Sequence, residues 1–406
     1  MTYLVINAGS SSIKFTLFKE NALKVMARGW IERVGQNDPQ LFAELEGTPS
    51  FSRRCKASDI RMALEQIADL FLTNKKEGIK TLNDIDVVGH RVVHGGDKIN
   101  APVFISDDVK KTIKDFSALA PLHNPPALSC IEACEILFPT AKQVAVFDTA
   151  FHHTLPEHVF LYGLPRSFYI NDKIRKYGFH GTNHKFVCTR AAKLLDSSLS
   201  ELKIISCHLG NGSSITAVDK GNSIETSMGF TPLEGLIMGT RCGDIDPGIL
   251  IYLSEIKGMS MAEINRLLNK ESGLLGMAGI NSSDLRDIKK AVDSGNQQAR
   301  TALMAFVHHI RKTIGAYAAA LSGLDVLVFT GGIGENSSIT REQICQGFNG
   351  NNTPGIFLDP EKNKTVDRSE SFIHLADSPV KILVVPANEE LEIAVQAQNL
   401  INPDGS

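Results

Sequence analysis

Small residues and hydroxyls dominate the stretch Asn7-Ala-Gly-Ser-Ser-Ser-Ile-Lys14. Gly9 lets a ligand approach the backbone, the serines add hydroxyls, and successive N–H groups at such a tip make a concavity for a phosphate. Taken alone, the same residues also describe an ordinary surface hairpin. A second stretch, His208-Leu-Gly-Asn-Gly-Ser-Ser-Ile215, repeats the pattern after about 200 residues, far beyond the period of a solenoid, and so predicts two duplicated domains. A third glycine turn, Thr330-Gly-Gly-Ile-Gly-Glu-Asn336, follows the apolar run Val326 to Phe329 and precedes a helix predicted over Ser337 to Cys345.

The elements that must position these turns follow from periodicity. Leu4, Val5 and Ile6 read as a buried strand; Ile13, Phe15 and Leu17 alternate with polar neighbours as its returning partner. Ala27 to Val34 is a third strand and Ser58 to Leu72 an amphipathic helix. Asp86 to Val93 is a strand carrying Arg91, and Gln143 to Phe147 a strand ending at Asp148, the position where doubly wound sheets place their ligands. Asn124 is expected to cap a helix that opens with Pro125 and Pro126. Thr149 to Gly181 is expected to be irregular and to cross between the halves, with His152 and His153 on a surface. Gly229 to Gly248 is a glycine-rich loop holding Arg241 and Asp244. Asn388 caps a last helix with Glu389 and Glu390 in its first turn.

Composition narrows the class. The chain has 406 residues, which favours two domains. A formal charge of −3 with acids and bases mixed argues against a nucleic-acid or membrane-surface binder. The seven cysteines are odd in number and lack Cys-x-x-Cys spacing, which fits free thiols in a reducing cytoplasm. No basic leader precedes the first apolar run and no stretch is long enough to span a bilayer. Other nucleotide signatures fail: there is no Gly-Lys dipeptide for a Walker A loop, no His-Arg-Asp or Asp-Phe-Gly, and Ser337 stands where the dinucleotide fingerprint needs its third glycine.

Six motifs in order, Asn7 to Lys14, His90-Arg-Val-Val-His-Gly-Gly96, Phe147-Asp-Thr-Ala-Phe-His152, Tyr177-Gly-Phe-His-Gly-Thr182, His208-Leu-Gly-Asn-Gly212 and Gly331-Gly-Ile-Gly-Glu-Asn336, span nearly the whole chain and together resemble the acetate kinase family. The resemblance implies a duplicated actin-like ATPase fold of the α/β class, shared with sugar kinases. It also implies a homodimer, Mg²⁺ with Mn²⁺ as a possible substitute, and reversible transfer from ATP to acetate giving ADP and acetyl phosphate. A propionate or short-chain fatty-acid kinase of the same family is the alternative. The expected domains are 1–150 closed by 386–406, on the acyl-substrate side, and 151–385, binding nucleotide.

Moving a phosphoryl group onto a carboxylate brings two anions together, so charge neutralisation is the main task. Arg91 can clamp the acceptor carboxylate with its planar fork, and Arg241 suits the charge developing on the transferred group. The resemblance gives both these roles; a structural salt bridge is the alternative for either. It places His180 on the transferring phosphate and adds weaker assignments for His123 and His208. Acetate is already ionised at pH 7, so phosphorylation needs no general base, and Asp148 is assigned to Mg²⁺ through water or to orienting Arg91. Asn7 and Glu389 match metal-linked positions, as hard oxygen donors; helix-dipole stabilisation alone would also explain Glu389. For nucleotide the resemblance points to Lys14, to His208, Leu209, Gly210, Asn211 and Gly212, to Asp284, Leu285 and Arg286, and to Gly331, Gly332, Ile333, Gly334 and Glu335. For the acceptor's methyl end it adds Leu122, Phe179 and Pro232. Val93, two residues beyond Arg91, is expected to share its face. A sugar kinase of the same fold would need no cationic clamp, and an ATP-driven chaperone would need a further peptide-binding domain.

Overall fold

The computed structural model describes residues 1–73, 79–121, 123–348 and 354–403, the side chain of Asn21 excepted. Leu122 therefore lies outside the described residues. The chain divides into two compact units, Met1–Phe151 with Asn388–Ser406, and His152–Ala387.

The first unit is built on an eight-stranded sheet: β1 (Thr2–Ala8), β2 (Ser12–Lys19), β3 (Lys24–Glu32), β4 (Gln40–Leu45), β5 (Phe51–Arg54), β6 (Val87–Val92), β7 (Val103–Phe104) and β8 (Lys142–Phe147). Its spatial order is β5-β4-β3-β2-β1-β6-β8-β7. β1 and β2 form the expected hairpin, with Asn7 opposite Lys14, and β1, β6 and β8 run parallel. Parallel strands buried on both faces read as apolar runs, and period-two alternation sorts them. Leu4, Ile6, Phe15 and Val88 pack with the helices Ile60–Thr73 and Asn124–Leu137. Tyr3, Val5, Val87, Val144 and Val146 pack on the other face, against Ile393, Ala394 and Ala397 of the Glu389–Ile401 helix.

The second unit carries β9 (Lys203–His208), β10 (Ser214–Asp219), β11 (Asn222–Thr226), β12 (Val326–Thr330), β13 (Ser371–Phe372) and β14 (Lys381–Val384), in the order β11-β10-β9-β12-β14-β13. Hairpin, outer strand, then two parallel strands: β3-β2-β1-β6-β8 is repeated as β11-β10-β9-β12-β14. The sequence echo between the two serine-rich turns is thus a repeat of topology, a duplicated α/β arrangement. The Gln297–Ala320 helix covers one face, burying Phe306, Ile310 and Ile314 against Ile205, Cys207 and Leu327. The Gly181–Leu194 helix packs on the face that carries Ser206 and His208.

Four local expectations change. Asn124 does not cap its helix but is its first residue, following His123, and is fully buried. Its amide accepts from His94 N and donates to the carbonyls of His94 and Ile113, an arrangement only the assembled core can offer. Gly331–Asn336 is a short helix rather than a turn. The segment after Asp148 contains a 3-10 turn at Ala150–Thr154 and short helices at Glu157–Phe160 and Arg166–Asp172. β6 ends at Val92, so strand alternation does not carry through to align Val93 with Arg91.

Candidate active site

In the first unit, three parallel strands end side by side. Asn7 lies near the end of β1, Arg91 near the end of β6, and Asp148 directly after β8, its N–H donating to the Val92 carbonyl at 2.9 Å. By strand parity Asn7 and Arg91 belong to the face covered by the Glu389–Ile401 helix, and Asp148 joins them by pairing with Arg91. That helix begins there because the Asn388 side chain accepts from Leu391 N at 3.1 Å, which sets Glu389 in its first turn. Arg91 is gripped on its fork: Nη2 and Nε donate to the two oxygens of Asp148 at 2.5 and 3.3 Å, Nε lies 3.3 Å from Glu389 Oε2, and Nη1 donates to Asn7 Oδ1 at 3.3 Å.

Asp148 is 1% exposed and Arg91 16%, so these charges interact with little screening by water. Burial alone would pull the Arg91 pKa down, but Asp148 and then Glu389 outweigh it and hold the guanidinium above its ordinary value. Glu389 moves up: burial is the largest cause, Arg91 opposes it, and Asp148 adds to it. Two acids therefore share one arginine. The amide oxygen of Asn7 and the carboxylates of Asp148 and Glu389 make a hard-oxygen set with an excess of negative charge. Such a set fits a hard divalent cation that keeps most of its own waters. Lys14, exposed opposite Asn7, is a further cation and acts on Glu389 to lower its pKa.

The second unit brings the two glycine motifs together. The β9–β10 turn is fastened to β12 and the following helix: Leu209 N donates to Thr330 O at 2.9 Å, and Ile333 N and Gly334 N donate to Leu209 O at 2.8 and 3.2 Å. Gly331 has φ 77°, and a Cβ there would stand 2.7 Å from Leu209 O, so only glycine allows this approach. Glu335 Oε1 accepts from Gly331 N and Ala387 N, both at 2.9 Å. Gly332 has open space where a side chain would be. The result is a platform of backbone and small residues from His208 to Gly212 and from Gly331 to Glu335.

Arg241 and His180 stand over the same turn. A Cβ on Gly212 would lie 3.2 Å from Arg241 Nη2 and 3.6 Å from His180 Nε2. The loop carrying Arg241 is tied down by Gly239 N donating to Asn211 O at 3.0 Å, and by Arg241 Nη1 donating to the Pro232 carbonyl at 2.7 Å. Arg241 has no carboxylate partner among the described residues, and burial lowers its pKa. A half-buried guanidinium without a counter-ion is a site for an anion.

His180 adopts left-handed backbone, φ 56° and ψ 20°, just before the Gly181–Leu194 helix. Non-glycine residues held there mark sites that the surrounding structure over-determines. Its Nδ1 lies 2.9 Å from Ser214 Oγ, and Ser214 Oγ lies 2.7 Å from His184 Nε2. His184 Nδ1 lies 2.9 Å from Ser206 Oγ. The His180 ring stacks on His208 at 4.2 Å between centroids, and Asn183 Nδ2 donates to His208 Nδ1 at 2.8 Å. His184 is held neutral, pushed well down by burial and then by His152 and His208.

Sequence reasoning missed Asn183, His184 and His152. The first two had a signal: Asn183 and His184 follow His180 by three and four residues, in the first turn of the helix that opens at Gly181. His152, expected on a surface, is fully buried. Its Nε2 donates to the Phe179 carbonyl at 3.0 Å, and its Nδ1 meets Ser223 Oγ at 2.9 Å. That bond fixes the peptide just before His180.

The remaining named residues have settings of their own. Asp284 caps the Leu285–Asp293 helix. Its carboxylate holds Arg286 at 2.6 Å, and the hydrogen bonds from Arg286 bring its pKa down to about 2. Leu285 is partly buried against the core of the second unit. Val93 is buried in the first unit and Phe179 in the second.

Comparison with known proteins gives these clusters a family. The profile of the acetokinase family matches residues 2–395. The acetate kinase of Dictyoglomus thermophilum is 49% identical over 402 residues, covering 99% of each chain. That of Alkaliphilus metalliredigens is 46% identical over 401 residues, 99% of this chain and all of that one. Among solved structures, acetate kinase from Porphyromonas gingivalis superposes with a TM-score of 0.91 at 41% identity, covering 98% of this chain and 99% of that one. A propionate kinase from Francisella tularensis gives 0.90 at 40% identity, with the same coverage. With a whole-length match of sequence and fold, the chain belongs to the acetokinase family of carboxylate kinases.

Proposed function

We propose that the protein is an acetate kinase that transfers the γ-phosphoryl group of ATP reversibly to acetate. The observation that carries this reading is Arg241, a half-buried guanidinium without a carboxylate partner among the described residues, set against a glycine turn beside His180. In the forward direction an acetate oxygen attacks the γ-phosphorus, the bond to the β-γ bridging oxygen breaks, and ADP leaves with that electron pair. Acetate arrives ionised, so no proton is removed and the residues work by position and charge. In the first unit, Arg91 offers acetate a guanidinium whose orientation Asp148 fixes. In the second, the backbone from His208 to Gly212 and from Gly331 to Glu335 holds the nucleotide, with Asp284, Leu285 and Arg286 toward its base and ribose. Arg241 balances the charge that spreads over the transferring oxygens, and His180, with Nδ1 engaged by Ser214, presents Nε2 to the same group. Mg²⁺, or Mn²⁺ in its place, neutralises phosphate charge when bound; Asn7, Asp148 and Glu389 would hold it through its waters.

A homodimer is supported by the apolar side chains that the Gly248–Glu255 helix and its continuation leave exposed, Ile249, Ile251, Tyr252 and Ile256. Seven free cysteines support a cytoplasmic location. Among the described residues no helix is long and apolar enough to cross a membrane.

With ATP, Mg²⁺ and acetate, hydroxylamine is expected to trap acetyl hydroxamate, while glucose and glycerol remain unphosphorylated. Sugar phosphorylation without hydroxamate would replace this reading with a hydroxyl-directed kinase. Acid preference is tested at Val93, assigned with Leu122, Phe179 and Pro232 to the acceptor's methyl end. Val93→Ala is expected to raise propionate relative to acetate, since one methylene in an apolar pocket is worth about 1–3 kcal/mol, roughly tenfold to 200-fold in kcat/KM. If Val93 is only core, the ratio stays fixed while the urea midpoint falls by the equivalent of about 1–3 kcal/mol.

A further inference from the structure

His90 precedes Arg91 on β6, and successive strand side chains point to opposite faces. Arg91 faces the Glu389–Ile401 helix; His90 faces the Asn124–Leu137 helix. There it meets Cys130 and Cys134, which are four residues apart and so share a helix face. The three are 2%, 1% and 0% exposed. One ligating atom from each lies within 4.8 Å of the other two. His90 Nε2 lies 2.7 Å from the Gln143 side-chain oxygen on β8. With the Gln143 oxygen as acceptor, Nε2 carries the proton and Nδ1 keeps its lone pair. Metal-bound imidazoles have an outer partner of this kind on the other ring nitrogen.

We propose that His90, Cys130 and Cys134 form a buried binding site for a soft, thiophilic cation, Zn²⁺ or Cu⁺. Two sulfurs and an imidazole select such ions over Mg²⁺ or Ca²⁺, which take oxygen. With bonds of about 2.0–2.3 Å, a three-coordinate ion holds its ligands roughly 3.5–4.0 Å apart, so the cluster closes with side-chain movements of about 1 Å. The two ions meet the site differently. Zn²⁺ would neutralise two thiolates in a dry core, but its structural sites take four ligands. Cu⁺ accepts three. Among the described residues no further histidine, cysteine, aspartate or glutamate joins the group. Neither the carboxylate clamp nor the nucleotide platform uses these side chains.

The test titrates the reduced full-length chain, without oxygen, with Zn²⁺ in one arm and Cu⁺ in the other, each against a chromophoric chelator. One ion per chain is expected in at least one arm. Cys130→Ala and Cys134→Ala should abolish that ion, Gln143→Leu should weaken it about 10–100-fold, and Cys345→Ala should leave it unchanged. The ion should raise the unfolding midpoint of the wild type, because it binds only the folded state. If the cysteine variants fail to fold, slow alkylation of the wild type read by mass spectrometry decides: the ion should protect Cys130 and Cys134 more strongly than any other cysteine. Folded protein that retains no ion in either arm, stoichiometry unchanged in Cys130→Ala, or protection of other cysteines instead would each overturn the site.

Discussion

Replacing Arg241 with alanine is expected to lower kcat for acetyl phosphate formation by about two to four orders of magnitude, the range for losing one strong charge partner of a transferring phosphoryl group. Arg241 sits in the glycine-rich loop and is held through the Pro232 carbonyl, with no acid neutralising it. Its removal leaves no buried carboxylate stranded. The variant should therefore keep the wild-type urea midpoint within about 0.5 kcal/mol, as for changes away from core and pairing. Steady-state kinetics with a denaturation curve on the same preparation separates the outcomes. A fall in kcat and kcat/KM together places Arg241 in the transition state. A rise in acetate KM alone moves it to ground-state binding, and unchanged kinetics in a folded variant removes it from the mechanism.

Arg91→Ala is expected to damage function and fold together. Asp148 and Glu389, 1% and 16% exposed, would lose the cation they share. Removing one partner of a buried ion pair costs about 3–5 kcal/mol, because a charge remains without compensation. The same change removes the fork proposed to hold acetate, so saturation by acetate should disappear in the accessible range. Arg91→Lys separates the two effects. It restores a positive charge but not the planar bidentate geometry. Most of the stability should return, while kcat/KM for acetate stays low by the equivalent of one charged hydrogen bond, about 1.5–3 kcal/mol, or roughly tenfold to 150-fold. A lysine variant with full kcat/KM would reduce Arg91 to a structural ion pair.

The residues that could be read without a structure are those whose environment is local. The two serine-rich hairpins depend on alternation over a few residues and on small residues at the tip, so the hairpin after Leu4 to Ile6, and its repeat at His208 to Ile215, follow from the letters alone. The helix expected over Ser58 to Leu72, which forms at Ile60–Thr73, and the Asn388 cap are local for the same reason: helix periodicity and a side chain reaching three residues ahead.

Tertiary structure decided which charges meet. Arg91 pairs with a carboxylate 57 residues away and with Asn7, 84 residues away, because β1, β6 and β8 are neighbours in the sheet and end at one level. Nothing in local spacing fixes that strand order. Burial was equally remote from the sequence: His152 reads like a surface histidine until Ser223 and the Phe179 carbonyl close on both ring nitrogens. Asn124 looks like a cap until the core gives its amide His94 and Ile113 as partners. Gly331 looks like a turn residue until Leu209 lies against it and leaves no room for a Cβ. A polar side chain's role follows from which partners surround it once water has been excluded, and those partners arrive from distant parts of the chain.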